Sequence, residues 1–543
     1  MRIPVGRRDR PARLLTSPWW RGAIAFAAGA LPALAFPGPA LWWFAYVSLV
    51  PWLLLIRTAG TGRRAALEGW LGGFGFVLAA HHWLLPNLHV FLLLLAALLG
   101  LLWAPWGWLV RVMLGGTPSP ARSVAALAVL PSGWLVAELV RSWEGLGGPW
   151  GLLGASQWQV SPALRMASVG GVWLVSLLVV AVNTAVTLLV AVPAARVPAV
   201  AGLLGCTLLV GAVWVWAPRP EPAGRVRVAV VQPGITVGAE PRFARGEQLT
   251  RGLAGADVDL VLWGESSVGA DLEARPDLAA RIAELSRTVG APVLVNVDAR
   301  RSDQRPAGPP GRIFKSTVLV GPDGPTGDRY DKMRLVPFGE YVPARALLGW
   351  VTSVGRAAGE DRMRGTRQVV MALPDGRGGV GPRLGPLVCF ESAFPDMSRQ
   401  LVRDGAQLLV AQSATTTFQD SWAPAQHASL AALRAAETGR PMAHATLTGV
   451  SAVYDAQGHR IGDALDTDAS TAVVHDIPLA DGTTVYVRLG DWAVYAALAV
   501  LAVFCAAEGV RSLRTPTGTA KPGREPPVPP ARTGHGSAVR PGR

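Results

Sequence analysis

Glu265, Lys332 and Cys389 are the side chains in this sequence whose types could together run covalent chemistry through a thiolate. Each stands just beyond or beside a predicted strand: Glu265 in Leu262-Trp263-Gly264-Glu265-Ser266, Lys332 in Tyr330-Asp331-Lys332, and Cys389 in Val388-Cys389-Phe390-Glu391. A thiolate needs a base or a nearby positive charge. Glu265 can take the thiol proton and later return it, and Lys332 can stabilise both the thiolate and a developing oxyanion. The backbone N–H of Phe390, next to the nucleophile, is a natural second oxyanion donor. Taken singly, a strand-end Glu or Lys reads as a solvated surface group, and a lone Cys as a buried inert thiol.

The elements that must position these groups lie in residues 218–490, long enough for one domain. Its apolar runs are short and bounded by turn signals: 226–231, 260–263, 293–297, 317–320, 387–389 and 408–411. Helical patterns at 276–288 and 422–438 fall between them. This alternation indicates a layered α/β domain. Of three cysteines, Cys206 and Cys505 fall inside long apolar runs, which leaves Cys389 without a disulfide partner in this domain.

The rest of the chain belongs to a membrane. Half of the 543 residues are hydrophobic, mean hydropathy is +0.31, and Trp outnumbers Tyr 21 to 6, as amphipathic rings at a membrane boundary would require. Apolar stretches at 22–36, 41–56, 67–85, 90–114, 124–140, 166–192, 198–216 and 492–507 predict about eight spans. The basic start and Ala33-Leu34-Ala35 could be read as a signal peptide, but the next apolar run follows so closely that a retained helix is the better reading. Arginines recur on alternate connections, at Arg57, Arg63 and Arg64, then Arg111 and Arg122, then Arg196. That side is therefore cytoplasmic, with the N-terminus, and 218–490 falls outside. The expected organisation is a basic cytoplasmic start (1–21), a membrane domain of seven spans (22–217), the catalytic domain (218–490), a last span (491–510), and a disordered basic tail (511–543). The net charge of +14 is thus spread over short loops and a tail, which argues against nucleic acid as a partner.

The words around the three residues resemble the nitrilase superfamily, whose Glu-Lys-Cys triad occurs in this chain order. The resemblance implies an αββα sandwich over 225–478. It narrows at Leu335-Val336-Pro337-Phe338-Gly339-Glu340-Tyr341-Val342-Pro343, which is similar to the segment after the lysine in the apolipoprotein N-acyltransferase family. Val231-Gln232-Pro233-Gly234-Ile235, Gly439-Arg440-Pro441, the run from Thr448 to Asp455, and Gly148-Pro149-Trp150 add to it. The resemblance covers residues 22–507.

It implies transfer of a fatty acyl chain from a membrane phospholipid to the N-terminal amine of a diacylglyceryl-modified apolipoprotein. The site would lie on the extracytoplasmic face of the cytoplasmic membrane and use no cofactor or metal. Cys389 would be the nucleophile, Glu265 the base and acid, Lys332 the charge stabiliser, and Glu340 and Glu391 supporting acids. The alternative reading of Glu340 is a loop-fixing carboxylate. Phe390 stands where relatives often carry Tyr, and residues 412–418 replace an Asn-Asp-Ala-Trp-Phe type of segment. His427 could form a Cys-His dyad or be merely packed. His81, His82 and His89 read as boundary residues and not as a metal motif. Residues 145–158 and 347–354 could line a path for lipid chains or be ordinary packed loops. A membrane-tethered nitrilase-type amidohydrolase, with water as the final acceptor, is the alternative function.

Overall fold

The computed structural model describes residues 17–301, 312–348, 359–374, 380–514 and 542. Residues 1–16, most of the tail and 349–354 of the second lipid-lining candidate lie outside the described residues.

The N-terminal region is helical. By length and composition, five described helical stretches can cross a membrane: Phe91–Leu114, Pro120–Arg141, Ser161–Ala191, Pro193–Trp216 and Trp492–Leu513. The first three expected spans take another form, and prolines explain two of them. Helix Pro18–Ala30 ends in a 3-10 turn, Leu31–Ala35, which contains Pro32. The next run divides into Trp42–Tyr46 and Val50–Arg57, with Pro51 at the start of the second piece. Gly62–Ala80 is a continuous 19-residue helix that carries Arg63, Arg64 and Glu68 in its first two turns. Glu68 is buried and accepts from Arg21 Nε at 2.7 Å and Arg64 Nε at 2.8 Å, so its charge is paired. Four buried indoles, Trp52, Trp103, Trp106 and Trp134, pack with ring centroids 5.0–6.0 Å apart and lock these helices together.

Two six-stranded sheets form the second part. The first has the order β12-β1-β2-β3-β4-β5, with β1 Glu221–Gln232, β2 Leu260–Trp263, β3 Val293–Arg301, β4 Arg312–Gly321, β5 Gly324–Asp331 and β12 Thr471–Asp481. The second runs β11-β10-β9-β8-β7-β6, with β6 Met371–Pro374, β7 Val380–Val388, β8 Leu408–Ser413, β9 Met442–Thr446, β10 Ser451–Tyr454 and β11 Arg460–Leu465. Each sheet has a parallel centre, β1-β2-β3 and β7-β8-β9, flanked by antiparallel strands. Alternation along β1 explains the layers. Val226, Val228 and Val230 face the other sheet, where Leu384, Val388, Leu408 and Val410 meet them. Ala229 and Val231 face outward, into the layer that holds helices Ala239–Arg251 and Pro276–Val289. The result is a nitrilase-like αββα sandwich.

Helix Ala423–Thr438, on the outer face of the second sheet, is buried along its whole length because it also packs against Ser161–Ala191. The latter departs from helical geometry at Gly170 and Gly171, and the first N–H beyond the kink, Val172 N, donates to Glu437 Oε1 at 2.7 Å. A carboxylate on a fresh helix N-terminus fits the dipole there. Further along, Trp83 Nε1 and Trp150 Nε1 both donate to Gln426 Oε1, at 3.2 and 2.9 Å. The sandwich is thus fastened to the ends of the membrane helices.

Candidate active site

The end of β2 meets the ends of β8 and β9 in the other sheet, and the turns after β2 and β7 each carry a candidate residue. Glu265 follows β2 by one residue, Gly264. That glycine is required by contact: a Cβ on it would lie 2.1 Å from Leu447 N. Ser266 then takes φ +54°, its N–H donates to Asn296 Oδ1 at 2.8 Å, and the turn is held rigid. Cys389 begins the 3-10 turn Cys389–Ala393 with φ +51°. A left-handed backbone at a non-glycine residue costs about 1–2 kcal/mol, and strain of this kind concentrates at functional sites.

Lys332 follows β5 and is 1% exposed. Its Nζ donates to Glu265 Oε1 at 3.2 Å and to Glu340 Oε1 at 2.8 Å. The Cys389 thiol is near enough to feel both charges, with Glu265 pushing its pKa up and Lys332 pulling it down. Base, cation and thiol therefore meet at one place. Glu340 is fixed in turn by Val336 N, which donates to its Oε2 at 2.8 Å, so it both pairs with Lys332 and ties its own loop.

Glu391 does different work. Its Oε1 accepts from Tyr330 Oη at 2.7 Å, Met333 N at 2.6 Å and Arg334 N at 3.0 Å, and its Oε2 accepts from Val388 N at 2.8 Å. It clamps the segment that carries Lys332 against the turn that carries Cys389. Phe390 packs edge-on to Phe394, with ring centroids 4.9 Å apart. Gly148, at φ +69°, lies against both rings, and a Cβ there would stand 2.7 Å from Phe390 Cζ. This brings the Gly148-Pro149-Trp150 loop of the membrane region onto the turn that carries Cys389.

Lys315 is the residue that sequence reasoning missed. It lies in β4 opposite Asp298 of β3, and its Nζ is 3.0 Å from Glu265 Oε1, 2.8 Å from Ser266 Oγ and 3.6 Å from Asp298 Oδ2. Glu265 is thus shared by two lysines. Burial opposes its charge, but Lys315 and Lys332 overcome burial and hold the carboxyl at about 2. Burial and then the Glu265 charge push the Cys389 thiol up to about 12, although Lys332 and the Ala414 N–H pull the other way. The resting site is therefore a carboxylate, ammonium and neutral thiol. This arrangement suits an attack in which the thiol proton moves to Glu265 and charge passes to an oxyanion near Lys332.

The divergent segment 412–418 also reaches this site. Gln412 bridges the sheets, accepting from Thr317 Oγ1 at 2.6 Å and donating to Trp263 O at 2.8 Å. Ser413 O accepts the Glu265 N–H at 3.2 Å, and Phe418 packs edge-on to Trp83 with centroids 5.0 Å apart. His427 Nε2 lies 3.0 Å from the Cys389 carbonyl oxygen and 2.9 Å from Ser392 Oγ. Burial lowers its pKa to about 4, so it is a neutral group packed against the backbone of the turn that carries Cys389. Among the described residues, no group of three or more His, Cys, Asp or Glu could hold a metal ion.

Comparison with known proteins bears on the whole chain. Residues 28–185 match the family model described as apolipoprotein N-acyltransferase N-terminal domain, and 227–486 match carbon-nitrogen hydrolase. The chain is 31% identical over 509 residues to the apolipoprotein N-acyltransferase of Geobacter metallireducens, covering 88% of this chain and 94% of that one. Identity to the apolipoprotein N-acyltransferase of Azotobacter vinelandii is 32% over 522 residues, covering 90% and 95%. Among solved structures, an amidase from Nesterenkonia sp. is similar at 19% identity and TM-score 0.32, covering 48% of this chain and 92% of that one.

Proposed function

The chain belongs to the apolipoprotein N-acyltransferase family, and from that premise we infer that it moves a fatty acyl chain from a membrane phospholipid to the α-amino group of a diacylglyceryl-cysteine at an apolipoprotein N-terminus. It is an acyltransferase of the nitrilase superfamily with apolar helices fit to cross a membrane several times. The observation that carries the proposal is the junction of Glu265, Lys332 and Cys389 on a sandwich fastened to those helices.

In the first half-reaction Cys389 Sγ attacks the ester carbonyl of the phospholipid, and its proton passes to Glu265. The oxyanion is stabilised by Lys332 and by the Phe390 N–H. The ester C–O bond then breaks, Glu265 returns the proton to the leaving alkoxide, and a lysophospholipid departs, leaving a thioester. In the second half-reaction the apolipoprotein amine attacks the thioester carbonyl. Glu265 accepts a proton from the nitrogen and passes it to the departing sulfur, forming an amide and regenerating the thiol. Glu340 keeps Lys332 in place, Glu391 holds the lysine-bearing segment, and residues 145–158 lead lipid chains to the thiol.

Eight crossings, with both termini and the arginine-bearing connections on the cytoplasmic side, complete the proposal; the sandwich over 218–490 then faces outward. Exposed Trp143, Trp214 and Trp216 at helix ends near the sandwich support a membrane boundary there. Mass spectrometry of a lipoprotein N-terminus from cells with and without this protein tests the function. An added acyl group that depends on the protein is expected. Its absence, with the purified protein hydrolysing an amide to acid and amine instead, would favour the amidohydrolase.

A further inference from the structure

At the end of the membrane helices away from the sandwich, Arg57, Arg111 and Arg122 line one cavity of about 440 Å³ with Val112 and Gly116. Helix Gly62–Ala80 fixes the two ends. It begins just after Gly60, whose carbonyl accepts from Arg111 Nη2 at 3.1 Å, and ends near Trp83, which touches Phe418 and Gln426 of the sandwich. Nineteen helical residues at 1.5 Å each span roughly 28 Å, about the depth of a bilayer's hydrocarbon core.

Among the described residues the three guanidinium groups have no counter-charge. Arg57 donates Nε to Leu114 O and Nη2 to Gly116 O, at 3.3 and 3.2 Å, and Arg111 donates Nε to Ala59 O at 2.8 Å. These carbonyls are neutral: they orient the side chains without offsetting their charge. The nearby carboxylate, Glu68, is already taken by Arg21 and Arg64, and among the described residues no carboxylate pairs with Arg57, Arg111 or Arg122. Three positive charges thus surround a space larger than a phosphate group.

Its level in the membrane narrows the ligand. Trp108, half exposed, packs beside Gly62 at this same end. Trp19 and Trp20 are exposed at the start of Pro18–Ala30, and the Pro18 carbonyl accepts from Arg64 Nη2 at 2.6 Å. Exposed indoles of this kind sit at the head-group level. We propose that this cavity is a binding site for the phosphate group of an anionic glycerophospholipid in the leaflet opposite the catalytic sandwich. Arginine suits the task because its planar fork can meet two phosphate oxygens at once. The site is separate from the acyl-transfer centre and takes the lipid by its head group, where no ester is cleaved.

The test uses the full chain purified in detergent micelles, with native mass spectrometry counting bound lipid. The probes are phosphatidylglycerol, phosphatidylcholine of the same chains, and inorganic phosphate. Lipid held at the catalytic centre is common to all variants and cancels. The wild-type protein should retain one more phosphatidylglycerol than phosphatidylcholine. Arg122→Gln, whose side chain holds no backbone carbonyl, should weaken that extra binding about fivefold, and Arg57→Gln/Arg122→Gln about thirtyfold. Arg63→Gln removes the same charge at the same end without touching the cavity and should leave it unchanged, as acyl transfer should remain unchanged in all three. Equal weakening by Arg63→Gln would overturn the proposal in favour of diffuse surface attraction. Equal retention of the two lipids would also overturn it, and so would displacement of phosphatidylglycerol by equimolar inorganic phosphate, which would mark a site for a free anion.

Discussion

Replacing Lys332 with Met removes the cation that two carboxylates share while keeping a side chain of similar length. Glu340 Oε1 would lose its 2.8 Å partner, leaving Lys315 at 3.8 Å, whereas Glu265 would keep Lys315 at 3.0 Å. The main stability cost is therefore one uncompensated buried carboxylate, about 3–5 kcal/mol. At roughly 2–4 °C per kcal/mol for a domain of this size, the melting temperature should fall by roughly 6–20 °C. Acyl transfer should fall by more than about a hundredfold, because the oxyanion loses its charged partner. Adding Glu340→Gln neutralises the stranded carboxylate and should restore most of the lost melting temperature without restoring turnover. Both quantities can be read on detergent-purified protein, one by thermal unfolding and the other by acyl transfer to a diacylglyceryl peptide. If Lys332→Met keeps most of its turnover, or if the double variant melts no higher than the single one, the charge assignment here is wrong.

Glu265→Gln should have opposite effects on two reactions of Cys389. Losing the neighbouring negative charge lowers the thiol pKa from about 12, so alkylation by iodoacetamide at pH 8 should quicken, while acyl transfer slows by about 10² to 10⁴ for want of a base. A Cys206→Ala/Cys505→Ala background isolates the thiol, and a parallel fall in both rates would contradict the scheme. In wild-type protein the alkylation rate should keep rising about tenfold per pH unit from pH 7 to 9, because the thiol stays mostly protonated throughout; a plateau in that range would mean a far more acidic thiol. Gly148→Ala adds a Cβ 2.7 Å from Phe390 Cζ at φ +69°, and should lower acyl transfer at least tenfold with the protein still folded; unchanged kinetics would separate this loop from the nucleophile turn. A cysteine placed at exposed Asp323 should react with a membrane-impermeant maleimide in intact cells, and one at exposed Arg63 only after permeabilisation; the reverse pattern would invert the proposed orientation.

The site was legible where chemistry sits at the end of a strand. Glu265 and Cys389 follow short apolar runs, which are visible without knowing which strands pair, whereas Lys332 follows the polar strand β5 and was visible only through the segment around it. Lys315 was not legible, because a lone Lys within a strand looks like a solvated edge residue. Only the β3–β4 register, with Asp298 opposite Lys315, gives it a buried acidic neighbour. Glu391 was visible as an acid near the thiol, but its work as a four-bond acceptor depends on Tyr330, Met333 and Arg334 arriving from a distant segment. The layered α/β pattern was readable from alternating short runs. The first spans were less so, since hydropathy counts apolar residues on both sides of a proline while a helix is interrupted there.

Covalent catalysis by Cys389 is tested most directly by incubating purified protein with radiolabelled phospholipid in the absence of any acceptor. The acyl label should become attached to Cys389, be released by hydroxylamine, leave one lysophospholipid per adduct, pass to an added diacylglyceryl peptide, and be absent in Cys389→Ala. A wild-type protein that carries no acyl label, yet transfers chains as soon as the peptide is added, would mean direct transfer between the two lipids and would remove Cys389 from its role as nucleophile.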